Sequence, residues 1–183
     1  MGMAAPSYYT AQMVRALPDD GNRYEVVHGE LLVTPAPRGW HQLLVLRLAT
    51  ALRNYLDDER LGVVLMAPAD ISWGLEDVLV QPDVFVFPRD EARTMEWHDI
   101  HTLLLAIEVL SPSSERADRF TKRRLYQERR VATYWIVNAE QQRVEVWAPD
   151  ETLPRIERER LIWQAPGVAE PFVLELEALF RPI

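Results

Sequence analysis

The chain has 183 residues, of which 48% are apolar and 26% charged, and it contains no cysteine. This composition is typical of a globular protein with a hydrophobic core, and it excludes disordered and collagen-like chains, disulfide-stabilised mini-proteins and thiolate metal sites. The formal net charge of −8 argues against non-specific binding to nucleic acid.

The N-terminal segment lacks the features of a targeting sequence. The first twenty residues carry one base, Arg15, and no continuous apolar block, so we expect no signal peptide. No run of roughly 18 apolar residues, which would predict a membrane-spanning helix, is present, because charged residues interrupt every apolar stretch. The sequence therefore predicts a cytoplasmic protein without membrane contact, with a single domain over residues 1–183.

The first third of the chain predicts a helical lead-in, a hairpin and a long helix. Residues 1–22 hold a short helix over 10–17 that ends in a Pro- and Gly-containing turn. The β-rich runs 23–27 and 30–34 are separated by His28 and Gly29, which is a hairpin signal. Apolar residues then recur at helical spacing over 41–58.

The middle of the chain predicts strands that contain proline. Residues 61–73 read as two short strands or one bent strand around Pro68, and residues 78–87 as one strand with Pro82 inside it. A polar loop over 88–102 leads to the nearly continuous apolar run 103–110, which is typical of a strand buried on both faces.

The last part predicts a helix, a second hairpin and a C-terminal β-rich extension. Serine residues at 111–114 end the buried strand and supply capping hydroxyls for a helix over 115–130. The runs 133–137 and 143–147 predict the hairpin, and the extension over about 150–183 holds two more strands and a last helical turn. The order of elements predicts an α/β protein with a mixed central sheet flanked by helices and additional hairpins.

Two acidic residues, Asp83 and Glu108, lie inside strands that are otherwise apolar. Burying a carboxylate costs free energy unless it is paired or bound to a cation. If the two strands are neighbours, both acids point from one sheet face at one spot, where hard oxygen ligands suit Mg²⁺ or Mn²⁺. The alternative is that Asp83 caps a turn after Pro82 and that Glu108 pairs with an arginine.

One segment concentrates the positive charge of this acidic chain. Seven bases stand against three acids between Glu115 and Arg130, so the segment carries +4 and the remainder −12. Lys122 is the sole lysine beside nineteen arginines, and it shares a helical stripe with Asp118, Leu125, Tyr126 and Arg129. Because Leu125 marks this stripe as the side facing the sheet, we expect Lys122 to point inward and to orient an attacking water near the two acids. The alternative is a solvated base on a solvated helix face.

Two further residues are candidates for the same site. Glu30 heads an otherwise apolar strand and is either a third acid or an exposed edge residue. His41 either faces the site from the first long helix or is an ordinary residue at its N-terminal end.

Several segments carry a family resemblance when they are taken together and in order. They are residues 24–31 (YEVVHGEL), 35–37 (PAP) followed by His41 and Gln42, 81–83 (QPD), 108–113 (EVLSPS), Asp118 with Lys122 and Tyr126, and 134–137 (YWIV). Over about residues 10–150 the chain resembles the bacterial Uma-two group of the PD-(D/E)XK nuclease superfamily. The resemblance implies a restriction-endonuclease-like core, a metal ion on Asp83 and Glu108, and a homodimer.

The resemblance includes one departure from the superfamily pattern. The usual motif has a lysine two residues after the second acid, and this position is Leu110 here. The resemblance to the Uma-two group implies that a lysine from the following helix replaces it, and Lys122 stands at that place.

These features support one main hypothesis and two alternatives. The first is a Mg²⁺- or Mn²⁺-dependent endonuclease that hydrolyses DNA, with Asp83, Glu108 and the backbone carbonyl of Val109 as ligands, Glu30 assisting and Lys122 positioning the water. Because one site cuts one strand, duplex cleavage also favours a dimer. The second is an inactive DNA-binding or assembly module of a mobile element or defence system. The third is an acidic scaffold whose carboxylates are merely ion-paired.

Overall fold

The structure of the chain, a computed structural model, describes residues 7–56 and 61–183. Its strands are β1 (Arg23–Val27), β2 (Glu30–Thr34), β3 (Val63–Met66), β4 (Val78–Leu79), β5 (Val84–Phe87), β6 (Leu105–Val109), β7 (Tyr134–Asn138), β8 (Arg143–Trp147), β9 (Arg155–Glu157), β10 (Arg160–Trp163) and β11 (Phe172–Glu175). Its helices are α1 (Ala11–Arg15), α2 (Gly39–Tyr55), α3 (Arg123–Glu128) and α4 (Leu176–Phe180). A π-helical segment, Ala117–Lys122, runs directly into α3, and two 3₁₀ turns, Arg89–Ala92 and Trp97–Asp99, lie in the loop before β6.

The described strands form three sheets, and the predicted α/β class with a mixed sheet is confirmed. The central sheet has six strands in the order β3-β5-β6-β7-β8-β9, and its β6 and β7 run parallel. A parallel pair needs a crossover connection, which the π-helical segment and α3 provide. The first hairpin joins β4 in the order β2-β1-β4, and β10 pairs with β11 in a separate ribbon.

The central sheet is buried on both faces, as its apolar strands predict. On one face, Leu44, Leu48 and Leu52 of α2 pack in a cluster that also contains Val84 and Ile107. On the other face, the cluster combines sheet residues with the first hairpin and α3; it includes Phe85, Ala106, Ile136, Val27 and Leu125. Because side chains alternate along a strand, Asp83 and Glu108 belong to this second face, with Phe85 and Ala106.

The prediction of one strand over 78–87 is wrong, because the segment divides at Pro82 between two sheets. Val78 and Leu79 pair with β1, whereas Val84 pairs with Met66 and Ile107 of the central sheet. Pro82 has no N–H to donate to a ladder, and the N–H of Gln81 is bound by the Glu25 carboxylate at 2.7 Å. The chain therefore crosses from one sheet to the other at this point and delivers Asp83 to the junction between them.

Most other predicted elements are confirmed, with adjusted bounds. Both hairpins, the lead-in helix, the C-terminal strand pair and its final helical turn are present, and β9 was not predicted. The predicted end of the long helix at Asp58 lies outside the described residues. In the region 61–73 there is one strand, β3, and Ile71 forms a single bridge to Val80. Within the described ranges, no helix combines the length and apolar character needed to cross a membrane.

Candidate active site

Asp83 and Glu108 lie side by side on neighbouring antiparallel strands. The register of β5 and β6 pairs Val84 with Ile107, and its next step places Asp83 opposite Glu108. Residues opposite each other in an antiparallel pair project from the same face, with Cβ atoms about 5 Å apart. Both side chains are buried, at 3% and 1% exposure. The sequence-based condition for a shared site, adjacent strands, is thus met.

Asp83 is a tightly held anion. Its Oδ1 accepts a hydrogen bond from Arg23 Nη1 at 2.7 Å, and its Oδ2 accepts from His41 Nε2 at 3.0 Å and from the Val109 amide at 2.9 Å. Burial by itself raises the pKa of Asp83, but the hydrogen bond from His41, the charge of Arg23 and the Val109 amide lower it to about 2. Asp83 is therefore ionised at neutral pH and does not act as a simple turn cap.

Lys122 lies at the centre of a carboxylate cluster, and the prediction that it points inward is confirmed. Its Nζ is 2.8 Å from Glu25 Oε2, 3.0 Å from Glu108 Oε1 and 3.3 Å from Asp118 Oδ1. The residue is 2% exposed. Burial lowers the pKa of Lys122, but Glu108, Glu25 and Asp118 outweigh that effect and raise it well above its ordinary value. The residue is a buried ammonium in ion pairs with three acids, and the alternative of a solvated base is wrong.

Glu108 has the opposite electrostatic situation from its neighbour Asp83. Its Oε1 accepts hydrogen bonds from Lys122 and from the Tyr126 hydroxyl, both at 3.0 Å. Burial raises the pKa of Glu108 well above its ordinary value, and the charges of Asp118, Asp83 and Glu25 add to the rise against the effect of Lys122. Two adjacent carboxyl groups whose pKa values are driven apart are typical of acid–base sites.

The cluster has an excess of negative charge that suits a divalent cation. Among the described residues, the four carboxylates of Glu25, Asp83, Glu108 and Asp118 face the ammonium of Lys122 and the guanidinium of Arg23, a formal charge of −2. No group of three acidic or histidine side chains within 7–56 and 61–183 is already spaced as a metal cage. The donor set nevertheless fits Mg²⁺ or Mn²⁺, which need one or two protein carboxylates and keep several waters.

The structure brings Glu25, and not Glu30, to the lysine. Glu25 lies in the middle of β1, is 1% exposed and binds both Lys122 and the Gln81 amide. Glu30 is exposed at the start of β2, in a surface depression with Arg116 and Phe120. Both acids face the same side of the hairpin, because Glu25 is opposite Leu32 and Glu30 is opposite Val27. The structure therefore places Glu30 outside the buried cluster, on the hairpin face that contributes Glu25, and the assisting role predicted for Glu30 stays a prediction.

Besides Glu25, the sequence missed Arg23 and left His41 open. Arg23 lies two residues before Glu25 on the same face of β1. Because these two charged residues alternate with apolar residues, the sequence pattern could have indicated that they share a face. His41 faces the site, and its Nδ1 is buried without a partner among the described residues. Val109 reaches the site through its amide; its carbonyl as a metal ligand stays a prediction.

Asp118 makes stability depend on pH in a direction that can be measured. Burial raises the pKa of Asp118 from 3.8 to about 6 against the opposing effect of Lys122. The folded state therefore holds this proton more tightly than the unfolded state, and the resulting stabilisation is lost as pH rises through about 6. We expect the free energy of unfolding of Asp118→Asn, relative to that of the unchanged protein, to increase as pH rises from about 4 to about 7. Urea unfolding across that range, in EDTA, measures the difference; a difference independent of pH contradicts the assignment.

The chain is similar to known proteins in both sequence and fold. The family model Uma2, described as "Putative restriction endonuclease", matches residues 11–177. A solved structure described as a putative nuclease of the DUF820 group, from Anabaena variabilis ATCC 29413, is similar with a TM-score of 0.74 and 20% identity, over 94% of this chain and 97% of that chain. No curated protein matches the chain. Since the family model spans most of its length, the chain belongs to the Uma2 family of restriction-endonuclease-like proteins.

Proposed function

We propose that this protein is a Mg²⁺- or Mn²⁺-dependent endonuclease that hydrolyses DNA phosphodiester bonds at the cluster around Asp83 and Glu108. The observation that carries the proposal is the pair of buried carboxylates on adjacent strands, with a buried lysine beside one of them. A family described as restriction endonucleases and a nuclease-like fold support the same chemistry.

Each residue of the cluster has a defined part in this proposal. Asp83 and Glu108 would hold the ion, with the Val109 carbonyl as a further ligand, and the bound ion supplies Lewis-acid activation of a water and of the phosphate. Lys122 keeps Glu108, Glu25 and Asp118 in place and provides the fixed positive charge of the site. Arg23 and His41 are 21% and 14% exposed at the side chain, so they lie at the accessible side of the site, where they can donate to a phosphate.

Metal binding is the first test of the proposal. We expect Glu108→Gln to weaken Mn²⁺ binding by about tenfold or more in titration calorimetry, because it removes a charged ligand. The matched control is Glu145→Gln: Glu145 is buried on β8, pairs with Arg119 at 2.8 Å, and lies two strands away from Glu108 in the same row of the sheet. Equal Mn²⁺ affinity in the unchanged protein and both variants would mean that the ion is not held at Glu108.

Cleavage is the second test, and it separates this proposal from an alternative. Asp83 already accepts three hydrogen bonds, and Lys122 already contacts three acids. Because these groups are engaged with each other, the second candidate is a DNA-binding or assembly module of the same fold that does not cut DNA. Nicking of a supercoiled plasmid in Mn²⁺ but not in Ca²⁺ supports the nuclease. Binding of DNA without any cleavage supports the second candidate.

A further inference from the structure

A surface depression lies on the outer side of the helix that carries Lys122. Its volume is about 420 Å³, and it is lined by Glu30, Arg116, Phe120, Thr121 and Arg124. Phe120 is 55% exposed, so much of its ring is accessible to a ligand. The volume is within the range of small-ligand pockets.

Two cations of the basic segment, Arg116 and Arg124, line the depression. Other bases of this segment are already engaged: Lys122 in the buried cluster, Arg119 with Glu115 and Glu145, Arg123 over the Trp147 ring, and Arg130 with Asp150. Within the part of the chain that the structure describes, Arg116 and Arg124 have no carboxylate partner. In a protein of net charge −8, two free guanidiniums beside an exposed ring have the chemistry that suits an anionic, aromatic ligand.

We propose that this depression binds an unpaired nucleotide of the nucleic-acid substrate, its base stacked on Phe120 and its phosphates on Arg116 and Arg124. The inference rests on the proposed nuclease function and names its substrate class: single-stranded DNA, or duplex DNA with an unpaired end or flap. A paired base inside a duplex cannot offer its face to Phe120, because both of its faces are covered by neighbours in the stack. Arginine is the side chain best suited to the flanking phosphates.

Glu30 gives this pocket a preference among bases. A glutamate carboxylate accepts a hydrogen bond from the exocyclic amino group of cytosine, and thymine has no such group. Glu30 therefore favours a nucleotide with an amino group, cytosine first, over thymine. This assigns a role to the acid that lies apart from the buried cluster.

The depression is an accessory contact and not part of the reacting centre. Phe120 and Lys122 are two positions apart and lie on opposite sides of the helix, since Lys122 is buried and Phe120 exposed. A strand bound at Phe120 must pass around the helix, about 10 Å across, to reach Asp83 and Glu108. Changes at Phe120 should therefore alter the affinity for substrate and leave the rate of the chemical step unchanged.

The test is fluorescence anisotropy with a labelled oligo-dC strand, an oligo-dT strand and a blunt duplex, in Ca²⁺ to prevent cleavage. We expect Phe120→Ala to weaken binding of the oligo-dC strand by about tenfold, the effect of losing one stacked base, and to change duplex binding by less than about twofold. Leu153→Ala, which removes a side chain that is 78% exposed, is the control and should change neither. Arg116→Glu with Arg124→Glu should abolish the single-strand preference, whereas Arg158→Glu, at an exposed position before β10, should not. Glu30→Gln should reduce the difference between oligo-dC and oligo-dT.

The outcomes separate this inference from the nuclease proposal. If the unchanged protein binds the oligo-dC strand through Phe120 but cuts no DNA in Mn²⁺, the pocket stands and the nuclease proposal fails. If the protein cuts DNA and Phe120→Ala changes neither affinity nor KM, the pocket assignment is wrong. Failure of the unchanged protein to bind the oligo-dC strand overturns the pocket assignment, whereas plasmid nicking in Mn²⁺ decides the nuclease proposal independently.

Discussion

Replacing Lys122 by methionine is expected to lower the free energy of unfolding by about 3–5 kcal/mol at neutral pH, the cost of breaking a buried ion pair from one side. The Lys122 ammonium is within 3.3 Å of Glu25, Glu108 and Asp118. Methionine fills a similar volume, so the loss reports charge rather than a cavity. The three acids would be left buried together without their central cation.

The same variant has a characteristic pH dependence. The pKa of Asp118 is already raised to about 6 by burial, and that of Glu108 is raised well above its ordinary value by burial. Protonation of these acids removes the repulsion, so the stability loss in Lys122→Met should shrink as pH falls from about 7 to about 5. Urea unfolding at both pH values measures this change.

Arg158→Met is the matched control, because it removes one base from an exposed position and should stay within about 0.5 kcal/mol of the unchanged protein. Adding Asp118→Asn to Lys122→Met removes one of the repelling acids and should restore part of the lost stability. A loss below about 1 kcal/mol in Lys122→Met would show that the three carboxylates do not depend on the lysine.

Local sequence patterns were sufficient to locate most helices and strands of this fold, but not to predict which strands pair with each other. Alternation and apolar runs located both hairpins, the long helix and the buried strand, because each depends on residues close in sequence. The segment around Pro82 shows the limit. Its apolar residues continue across the proline, but pairing is decided by which edges are available, and β4 and β5 join different sheets. A proline without an N–H at that point was the local sign of a break.

The site was predictable to the extent that charges stood out from apolar surroundings. Asp83 and Glu108 are acids in apolar strands, and Lys122 is the only lysine of the chain. Glu25 carries the same signal, with Tyr24 and Val26 beside it, but it stands in a hairpin where an exposed face is equally common. Its burial comes from α3 and the π-helical segment, which cover that face of β1 and contribute Lys122 from a distant part of the chain.

The largest effect on activity is expected for Lys122→Arg, which keeps the charge but changes its shape. We expect single-turnover nicking in Mn²⁺ to slow by about 10²-fold, the scale of a lost electrostatic catalyst. DNA affinity in Ca²⁺ should change by less than about twofold, since the net charge is unchanged. Arg158→Lys makes the reverse exchange at an exposed position and should leave both quantities unchanged.

The reason lies in the space around the Lys122 ammonium. Three carboxylate oxygens, at 2.8, 3.0 and 3.3 Å, surround a compact ammonium that forms an ion pair with each. A guanidinium is planar and larger, and it prefers to bind one carboxylate through two parallel hydrogen bonds. Bidentate capture of Glu108 would leave Glu25 and Asp118 poorly paired and would withdraw Glu108 from a metal ion. A variant that folds, binds DNA and cuts as fast as the unchanged protein would show that Lys122 supplies structure and charge to the cluster but takes no part in the reaction.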